Sequence, residues 1–255
     1  MLNVVCIGAG RLAFNLMPRL EQAGCRVVEI YNRTPENSSR LSAVLPNARL
    51  VHDPALVMDA ADLYFFTLRD DAIATVASSL RHLEDGHKIF VHCSGVSALD
   101  VLPFQRKASF YPLQTFSYSH TIPWETTPIL ITATDSAIEV QLLELGHQIS
   151  HVVQPISDDQ KSYLHLAAVF ANNFANHMLT LAEGICLEKG VSFDLLKPLI
   201  IETIEKAIAA GPGPGQTGPA VRRDTHTIDK HLSMLSGHQE LAEIYRILTT
   251  SIQRK

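Results

Sequence analysis

Cysteine is scarce in this sequence and is not arranged as it is in redox or metal sites. The four cysteines, Cys6, Cys25, Cys93 and Cys186, form no C-x-x-C pair. This argues against a disulfide framework and favours a reducing cytoplasm. The histidines give no metal signal either: we expect no metal site, and the pair His226 and His231, five residues apart, would not share a helix face.

Long apolar runs and an excess of positive charge are also lacking. No uninterrupted apolar stretch is long enough to span a membrane, and the chain opens directly on a strand-like run, so we expect no signal peptide. A net charge of −5 gives no support for nucleic-acid binding. With 255 residues, 46% hydrophobic and 18% charged, the sequence predicts a globular protein of one large or two modest domains.

The most informative segment is 4–32, which has the pattern strand, glycine turn, helix, strand. The turn reads Gly8-Ala9-Gly10-Arg11-Leu12-Ala13, and in this context a G-x-G-x-x-A pattern predicts a dinucleotide-binding unit. The amides at the helix start would face a pyrophosphate. The predicted contacts are Gly8, Gly10, Arg11, Leu12 and Ala13. The alternative is a glycine turn in an ordinary α/β protein.

The end of the second strand predicts which dinucleotide binds. NAD sites usually place an acidic residue there, whereas this chain has Asn32-Arg33-Thr34. A guanidinium and a hydroxyl suit the 2′-phosphate of NADP, and Arg11 and Arg40 could add charge. We therefore expect NADP(H) in preference to NAD(H). The alternative is that Arg33 is a solvated surface arginine.

Two regions of different composition follow one another along the chain. Strand-like and helix-like segments alternate over residues 1–154, which predicts a doubly wound α/β Rossmann domain. Residues 155–255 read as all-helical, with one long apolar helix from Asp158 to Lys189. Such a helix needs partners on several faces, so we expect a homodimer through the C-terminal helices, or alternatively a monomer with these helices packed on the Rossmann domain.

Polar residues at the ends of later strands are candidates for the ligand site, because ligands of parallel sheets bind outside the carboxyl ends of the strands. Thr67 and Leu68 follow one strand and are assigned to the cofactor. Ser94 follows another and could touch the substrate or the nicotinamide ribose. Gln114 and Thr115 are assigned to the substrate. For His92 a functional role and a buried structural role are equally compatible with the sequence.

The long helix carries the sharpest candidates for proton transfer. At 100° per residue, Lys161, His165, Ala168 and Asn172 fall within about 60° of arc. Lys161 or His165 could donate a proton to an atom that gains negative charge, and Asn172 is assigned to the substrate. The alternative is a solvated lysine near the helix start and a capping histidine.

A polar loop between the later helices is the third candidate. It contains Thr217 and Arg222, which we assign to the substrate because a rigid polar loop between apolar helices is characteristic of a binding element. Arg222 or Arg223 could clamp a carboxylate. The alternative is surface charge with a helix cap at Thr227.

Several motifs together resemble one bacterial family. They are G-A-G-R-L-A, N-R-T, V-H-C-S-G, Y-P-L-Q-T-F-S, K-S-Y-L-H-L-A-A-V-F-A-N-N-F and T-G-P-A-V-R-R-D-T-H-T. The family comprises Rossmann-like NADP oxidoreductases with a C-terminal helical domain of unknown function. In architecture it is similar to pyrroline-5-carboxylate reductase, deazaflavin-dependent NADP reductases and the 6-phosphogluconate and 3-hydroxyacid dehydrogenases. The resemblance implies a helical domain of the 6-phosphogluconate dehydrogenase type, dimerisation, and an active site between the domains.

The resemblance also bears on single residues. In the 3-hydroxyacid dehydrogenases a helix lysine followed four residues later by asparagine lies at the active site; here Lys161 matches the lysine, but His165 replaces the asparagine. Thr217-Gly218 lies where pyrroline-5-carboxylate reductase has a turn lining the site. Many members have histidine at the position of Tyr111, which implies that this residue is not an obligatory acid or base.

These observations predict an NADP(H)-dependent oxidoreductase acting on a small carbonyl, imine or hydroxy acid. The substrate would lie between Ser94, Gln114 and the helix face carrying Lys161 and His165. Two alternatives remain at this point: a non-catalytic NADP-binding sensor, and a reductase of a second cofactor of the deazaflavin type.

Overall fold

The computed structural model describes residues 1–254, which form two compact units. The first unit runs from Met1 to Val169 and the second begins at Phe170. The predicted boundary at residue 154 lies earlier, because the first helix after it clusters with the sheet. Within the described residues, no helix combines the length and the hydrophobicity needed to cross a membrane.

The first unit is built on one eight-stranded sheet. The strands are β1 (Asn3–Ile7), β2 (Arg26–Tyr31), β3 (Arg49–Val51), β4 (Leu63–Phe66), β5 (Ile89–His92), β6 (Lys107–Pro112), β7 (Ile129–Ala133) and β8 (Val153–Pro155). Their order is β3-β2-β1-β4-β5-β6-β7-β8. β6 and β7 pair antiparallel, whereas the other neighbouring pairs are parallel. The predicted doubly wound Rossmann fold is confirmed, and β1, β4, β5 and β6 end at the same edge.

Helices cover both faces of this sheet. They are α1 (Arg11–Gln22), α2 (Pro35–Ser42), α3 (Asp70–Ser79) and α4 (Ser136–His147); α5 (Asp158–Ala168) follows β8 in the same unit. One core contains side chains of α1, α2 and α4, and the other contains side chains of α3. Successive strand residues enter opposite cores: Cys6 belongs to the first and Ile7 to the second. The central strands read as continuous apolar runs because both of their faces are buried.

The second unit is helical, as predicted. α5 continues into a π-helical turn (Val169–Phe174), followed by α6 (Ala175–Glu188), α7 (Lys197–Ala210), α8 (Thr225–Met234) and α9 (Gln239–Gln253). The predicted long helix is therefore present but is not a regular α-helix throughout. Asn172 lies within this π turn, and its predicted alignment with Lys161 and His165 stays a prediction.

Candidate functional site

The glycine turn after β1 has the geometry that the sequence predicts. Gly8 has φ +106°, and a Cβ there would lie 2.9 Å from the Thr67 carbonyl oxygen and 2.8 Å from a Leu68 methyl carbon. The fold itself therefore requires glycine at this position. Thr67 is buried and its Oγ1 donates to the Gly8 carbonyl at 3.1 Å, so Thr67 and Leu68 shape the turn from the β4 side.

Gly10 differs from Gly8 because the protein leaves space at its missing side chain. It is exposed, and a Cβ on it would have its nearest neighbour 4.0 Å away, at the Thr67 carbonyl oxygen. Gly10 is the N-cap of α1 and provides no side-chain cap. The amides of Arg11, Leu12 and Ala13 open the helix, and this arrangement fits the pyrophosphate of a dinucleotide.

The end of β2 presents Arg33 and Thr34 to solvent while Asn32 holds the turn together. Asn32 Oδ1 accepts from the Ala9 amide at 3.2 Å, and its Nδ2 donates to the Thr34 carbonyl at 2.6 Å. The side chain of Arg33 is exposed. The guanidinium of Arg40 lies 4.2 Å from the ring centre of Tyr118, a cation–π contact that limits its movement.

Lys161 lies in the interior of the first unit. Its side chain has no accessible surface, and Nζ donates to the Ser97 carbonyl at 2.8 Å and to Asp158 Oδ1 at 2.9 Å. Burial lowers the pKa of Lys161, and the hydrogen bond and charge of Asp158 oppose this shift. The ammonium is therefore engaged by the protein rather than by solvent.

His165, one turn further along α5, faces Tyr111 at the end of β6. Tyr111 Oη lies 3.0 Å from His165 Nδ1. Gly95 packs against both, since a Cβ there would lie 2.5 Å from His165 Nδ1 and 2.6 Å from Tyr111 Cζ. Burial raises the pKa of Tyr111 to about 12, with the charge of Asp70 acting in the same direction. The phenol is therefore neutral at physiological pH and can donate a hydrogen bond.

The β5 end is organised by His92 and Ser94. His92 is fully buried; its Nδ1 accepts from the Ser94 amide at 3.2 Å, and its Nε2 has no hydrogen-bond partner in the structure. Ser94 Oγ lies 2.9 Å from Ser97 Oγ and accepts from the amides of Val96 and Ser97. Both side chains thus shape a turn, and the predicted contact of Ser94 with cofactor or substrate stays a prediction.

The remaining predicted substrate residues are exposed. Gln114 and Thr115 follow β6, where Gln114 Oε1 accepts from the Thr115 amide at 2.8 Å. Asn172, Thr217 and Arg222 belong to the second unit, and their predicted roles stay predictions. Within the first unit the structure brings together the β5 loop, Tyr111 and the α5 residues Lys161 and His165.

Besides Tyr111, whose contact with His165 the sequence did not indicate, two residues that organise the site are absent from the predicted set. Gly95 is required by close packing, and Asp158 binds both Lys161 and the Leu99 amide. A glycine directly after a strand end is a signal for the first, because it permits close approach. Asp158 directly follows the helix N-cap Ser157, but the Leu99 amide that it binds lies 59 residues away in sequence, so no local pattern indicates this contact. Among residues 1–254, no group of three or more His, Cys, Asp or Glu side chains could hold a metal ion.

Family models match both parts of the chain. The one described as "NADP oxidoreductase coenzyme F420-dependent" matches residues 3–94, and the one described as "Domain of unknown function (DUF2520)" matches residues 127–252. A comparison with curated proteins finds no match.

Solved structures resemble the whole chain. BF3122 of Bacteroides fragilis, provisionally assigned as an NADP oxidoreductase, is 34% identical with a TM-score of 0.92, and the match covers 100% of this chain and 98% of that one. An imine reductase from Myxococcus stipitatus in complex with NAD⁺ is 13% identical, with a TM-score of 0.64 and coverage of 100% and 94%. Pyrroline carboxylate reductase of Plasmodium falciparum with NADP bound is 9% identical, with a TM-score of 0.60 and coverage of 99% and 98%. The latter two show a shared fold.

Proposed function

The chain belongs to the oxidoreductase family that includes BF3122, and from that premise we propose that it reduces a small carbonyl or imine with NADPH, or catalyses the reverse oxidation. When bound, the nicotinamide supplies or accepts the hydride. The protein must then hold the substrate carbon close to the nicotinamide and deliver a proton to the oxygen or nitrogen that gains charge. Reduced substrate carries one added hydride and one added proton.

The cofactor proposal is supported by the glycine turn and the exposed end of β2. Gly10 and the first-turn amides of α1 would hold the pyrophosphate, while Arg33 and Thr34 are free to bind the 2′-phosphate. Arg11 is exposed and can add charge. Arg40 is held on Tyr118 beside this region. NADP(H) is the dinucleotide that these cationic side chains favour.

The single observation that carries the reaction type is the contact between Tyr111 and His165. The hydrogen bond between Tyr111 Oη and His165 Nδ1, 3.0 Å long, fixes the orientation of the imidazole. In the reduction, the imidazolium form of His165 would give its Nε2 proton to the substrate and become neutral, while its Nδ1–H donates to the phenol oxygen of Tyr111, which orients the ring and keeps its own proton. This assignment agrees with the implication that Tyr111 is not itself an obligatory acid. The substrate would lie by this pair, with Ser94 and Gln114 at its borders.

We also propose that the second unit forms a homodimer. Ile201, Ile204 and Ile208 of α7 are spaced by three and four residues and form a stripe on one side of the helix, where they are 57%, 53% and 80% exposed. Leu195 and Leu187 are also largely exposed. A second copy offers the same apolar surface and can cover this stripe in an isologous interface.

The experiment that tests the proposed function measures binding and turnover separately. Calorimetry should register NADPH binding, and NADPH oxidation should be detected with some members of a panel of keto acids, aldehydes, cyclic imines and a deazaflavin. His165→Asn should keep NADPH affinity and lower kcat by roughly 100- to 10,000-fold. The exposed His177, changed to Asn, is the matched control.

The outcomes separate the alternatives. Binding of NADPH without turnover on any panel member would favour a non-catalytic sensor, and turnover with the deazaflavin alone would favour a cofactor reductase. Full turnover in His165→Asn would remove this residue from the mechanism. No heat with either NADPH or NADH would contradict the proposal as a whole.

A further inference from the structure

The loop of residues 94–99 is fixed to α5 by the ion pair of Lys161, which is fully buried, and Asp158, which is partly exposed. The Leu99 amide donates to Asp158 Oδ2 at 2.8 Å, and Lys161 Nζ donates to the Ser97 carbonyl at 2.8 Å. Asp158 Oδ1 and Lys161 Nζ are themselves 2.9 Å apart. Ser162 of the same helix is near the Val96 carbonyl, with Oγ at 3.4 Å. One carboxylate and one ammonium thus hold the loop at two points of its backbone.

The start of the same loop depends on a neutral His92. The Ser94 amide donates to His92 Nδ1, which accepts only while this nitrogen carries no proton. Burial lowers the pKa of His92 to about 3, and the positive charge of Lys161 acts in the same direction, opposed by Asp158. Burial is therefore the main reason that His92 can accept from the Ser94 amide at the start of the loop.

The loop in turn determines the surroundings of the reacting pair. Gly95 lies within it and packs against both His165 and Tyr111 so closely that no Cβ would fit. A shift of the loop by a fraction of an ångström would change the distance between the phenol and the imidazole, because packed side chains transmit small displacements. Groups that fix the loop therefore fix the geometry of the pair.

We propose that Asp158 and Lys161 are positioning residues that hold the loop 94–99, and with it Gly95, against the His165–Tyr111 pair, and that neither exchanges a proton with the substrate. For Lys161 to reach a substrate it would have to leave the Ser97 carbonyl and Asp158. That movement would break both hydrogen bonds of the Lys161 ammonium, which has no accessible surface. The inference rests on the proposed function only in taking His165 as the proton donor.

The test begins with a measurement that needs no turnover. Hydrogen exchange of the intact chain, without nucleotide, is followed in peptides that contain the Leu99 amide. Asp158→Ala should accelerate exchange there by roughly 10- to 100-fold, the range expected when a hydrogen bond to a charged group is lost. Asp158→Asn retains an acceptor oxygen and should show a smaller effect. Asp159→Ala, an exposed neighbour in the same first turn, should leave exchange unchanged.

Activity then separates positioning from proton transfer. Both Asp158→Ala and Lys161→Met should lower kcat roughly tenfold or more while the pH dependence of the residual kcat stays that of the parent chain. Asp158→Asn should restore most of the activity that Asp158→Ala loses. If Lys161→Met fails to fold, the test uses the two Asp158 variants, which retain the lysine. Positioning then predicts a lower kcat in Asp158→Ala and a kcat that is largely restored in Asp158→Asn.

Two results would overturn the inference. The first is unchanged exchange at Leu99 in Asp158→Ala. The second is loss of turnover in Lys161→Met together with parental exchange in the loop, since Lys161 would then act on the substrate directly. Accelerated exchange in a chain that shows no oxidoreductase activity would refute the proposed function and leave the loop assignment standing.

Discussion

The two units of the chain contain similar apolar residues but differ in how completely they bury them. In the first unit the strands β1, β4 and β5 are almost entirely buried, and aromatic side chains such as Phe65 and Phe110 have no accessible surface. In the second unit, within the described residues, only Ala220 and Ala242 are buried, while Ile208 of α7 is 80% exposed. A sheet covered by its own helices completes its core within one chain, whereas the second unit does not.

This difference indicates which unit is stabilised by apolar burial within a single chain. Burying a Leu, Ile or Phe side chain contributes about 1.5–3 kcal/mol relative to leaving it exposed. The first unit obtains this contribution many times within one chain. The second unit can obtain it only when another surface covers its helices, and the symmetric partner that we propose would provide that surface.

The largest expected effect comes from one substitution made in both units. Phe110 is fully buried and contacts Phe65 edge to face, with ring centres 5.7 Å apart, whereas Phe174 is 48% exposed. Phe110→Ala should lower the free energy of unfolding by about 3–5 kcal/mol, through lost burial and a cavity. Phe174→Ala should change it by less than about 1 kcal/mol. Denaturant unfolding at several protein concentrations, extrapolated to high dilution, measures both.

Equal losses in the two variants would contradict the comparison. In that case the second unit would have a core of its own, and the exposure of its apolar side chains would not describe the chain in solution.

The next effect concerns the proposed dimer. Ile208→Glu places a charge in the apolar stripe of α7 and should weaken dimerisation by about 2–4 kcal/mol, as central apolar positions of interfaces do. Thr203→Glu adds the same charge on the opposite side of the same helix and should leave dimerisation unchanged. Light scattering across a concentration series gives the dissociation constants. A parent chain that is monomeric throughout would refute the dimer itself.

The same contrast explains what the sequence could predict. Rossmann strands appear as short apolar runs, and the glycine turn follows from local geometry, since the φ of Gly8 and the cap at Gly10 depend on neighbouring residues. Helical spacing predicted the second unit. The site is different: Tyr111 meets His165 across 54 residues and Lys161 meets the Ser97 carbonyl across 64. Periodicity placed Lys161 on a helix face but could not show that a loop covers that face. The π turn likewise has no spacing signal.

A smaller effect separates the roles of the units in binding. Arg33→Ala in the first unit should raise the dissociation constant of NADPH by roughly 10- to 100-fold, the loss of a charged hydrogen bond of about 1.5–3 kcal/mol, and should leave that of NADH unchanged. Arg222→Ala in the second unit, which removes an exposed arginine outside the Rossmann unit, should leave both constants unchanged. Calorimetry measures the two dissociation constants in both variants. Equal affinity of the parent chain for NADPH and NADH would remove the proposed role of Arg33.

The smallest effect is a pH dependence of stability that arises in the first unit. Burial holds the pKa of His92 at about 3 in the folded chain, against 6.5 as the ordinary value. Between these values the unfolded chain binds more protons, so the stabilising contribution is complete above about pH 6.5 and is lost as the pH falls towards 3. At about pH 5.5 the loss should be about 1.4 kcal/mol.

His92→Gln, which keeps a polar side chain but does not titrate, should lack this loss of stability. The same change at the exposed His226 of the second unit is the control and should show the same loss as the parent chain. Denaturant unfolding at a series of pH values measures the free energy of unfolding of each chain. If this free energy depends on pH equally in His92→Gln and in the parent chain, His92 is not the buried neutral group on which the β5 turn depends.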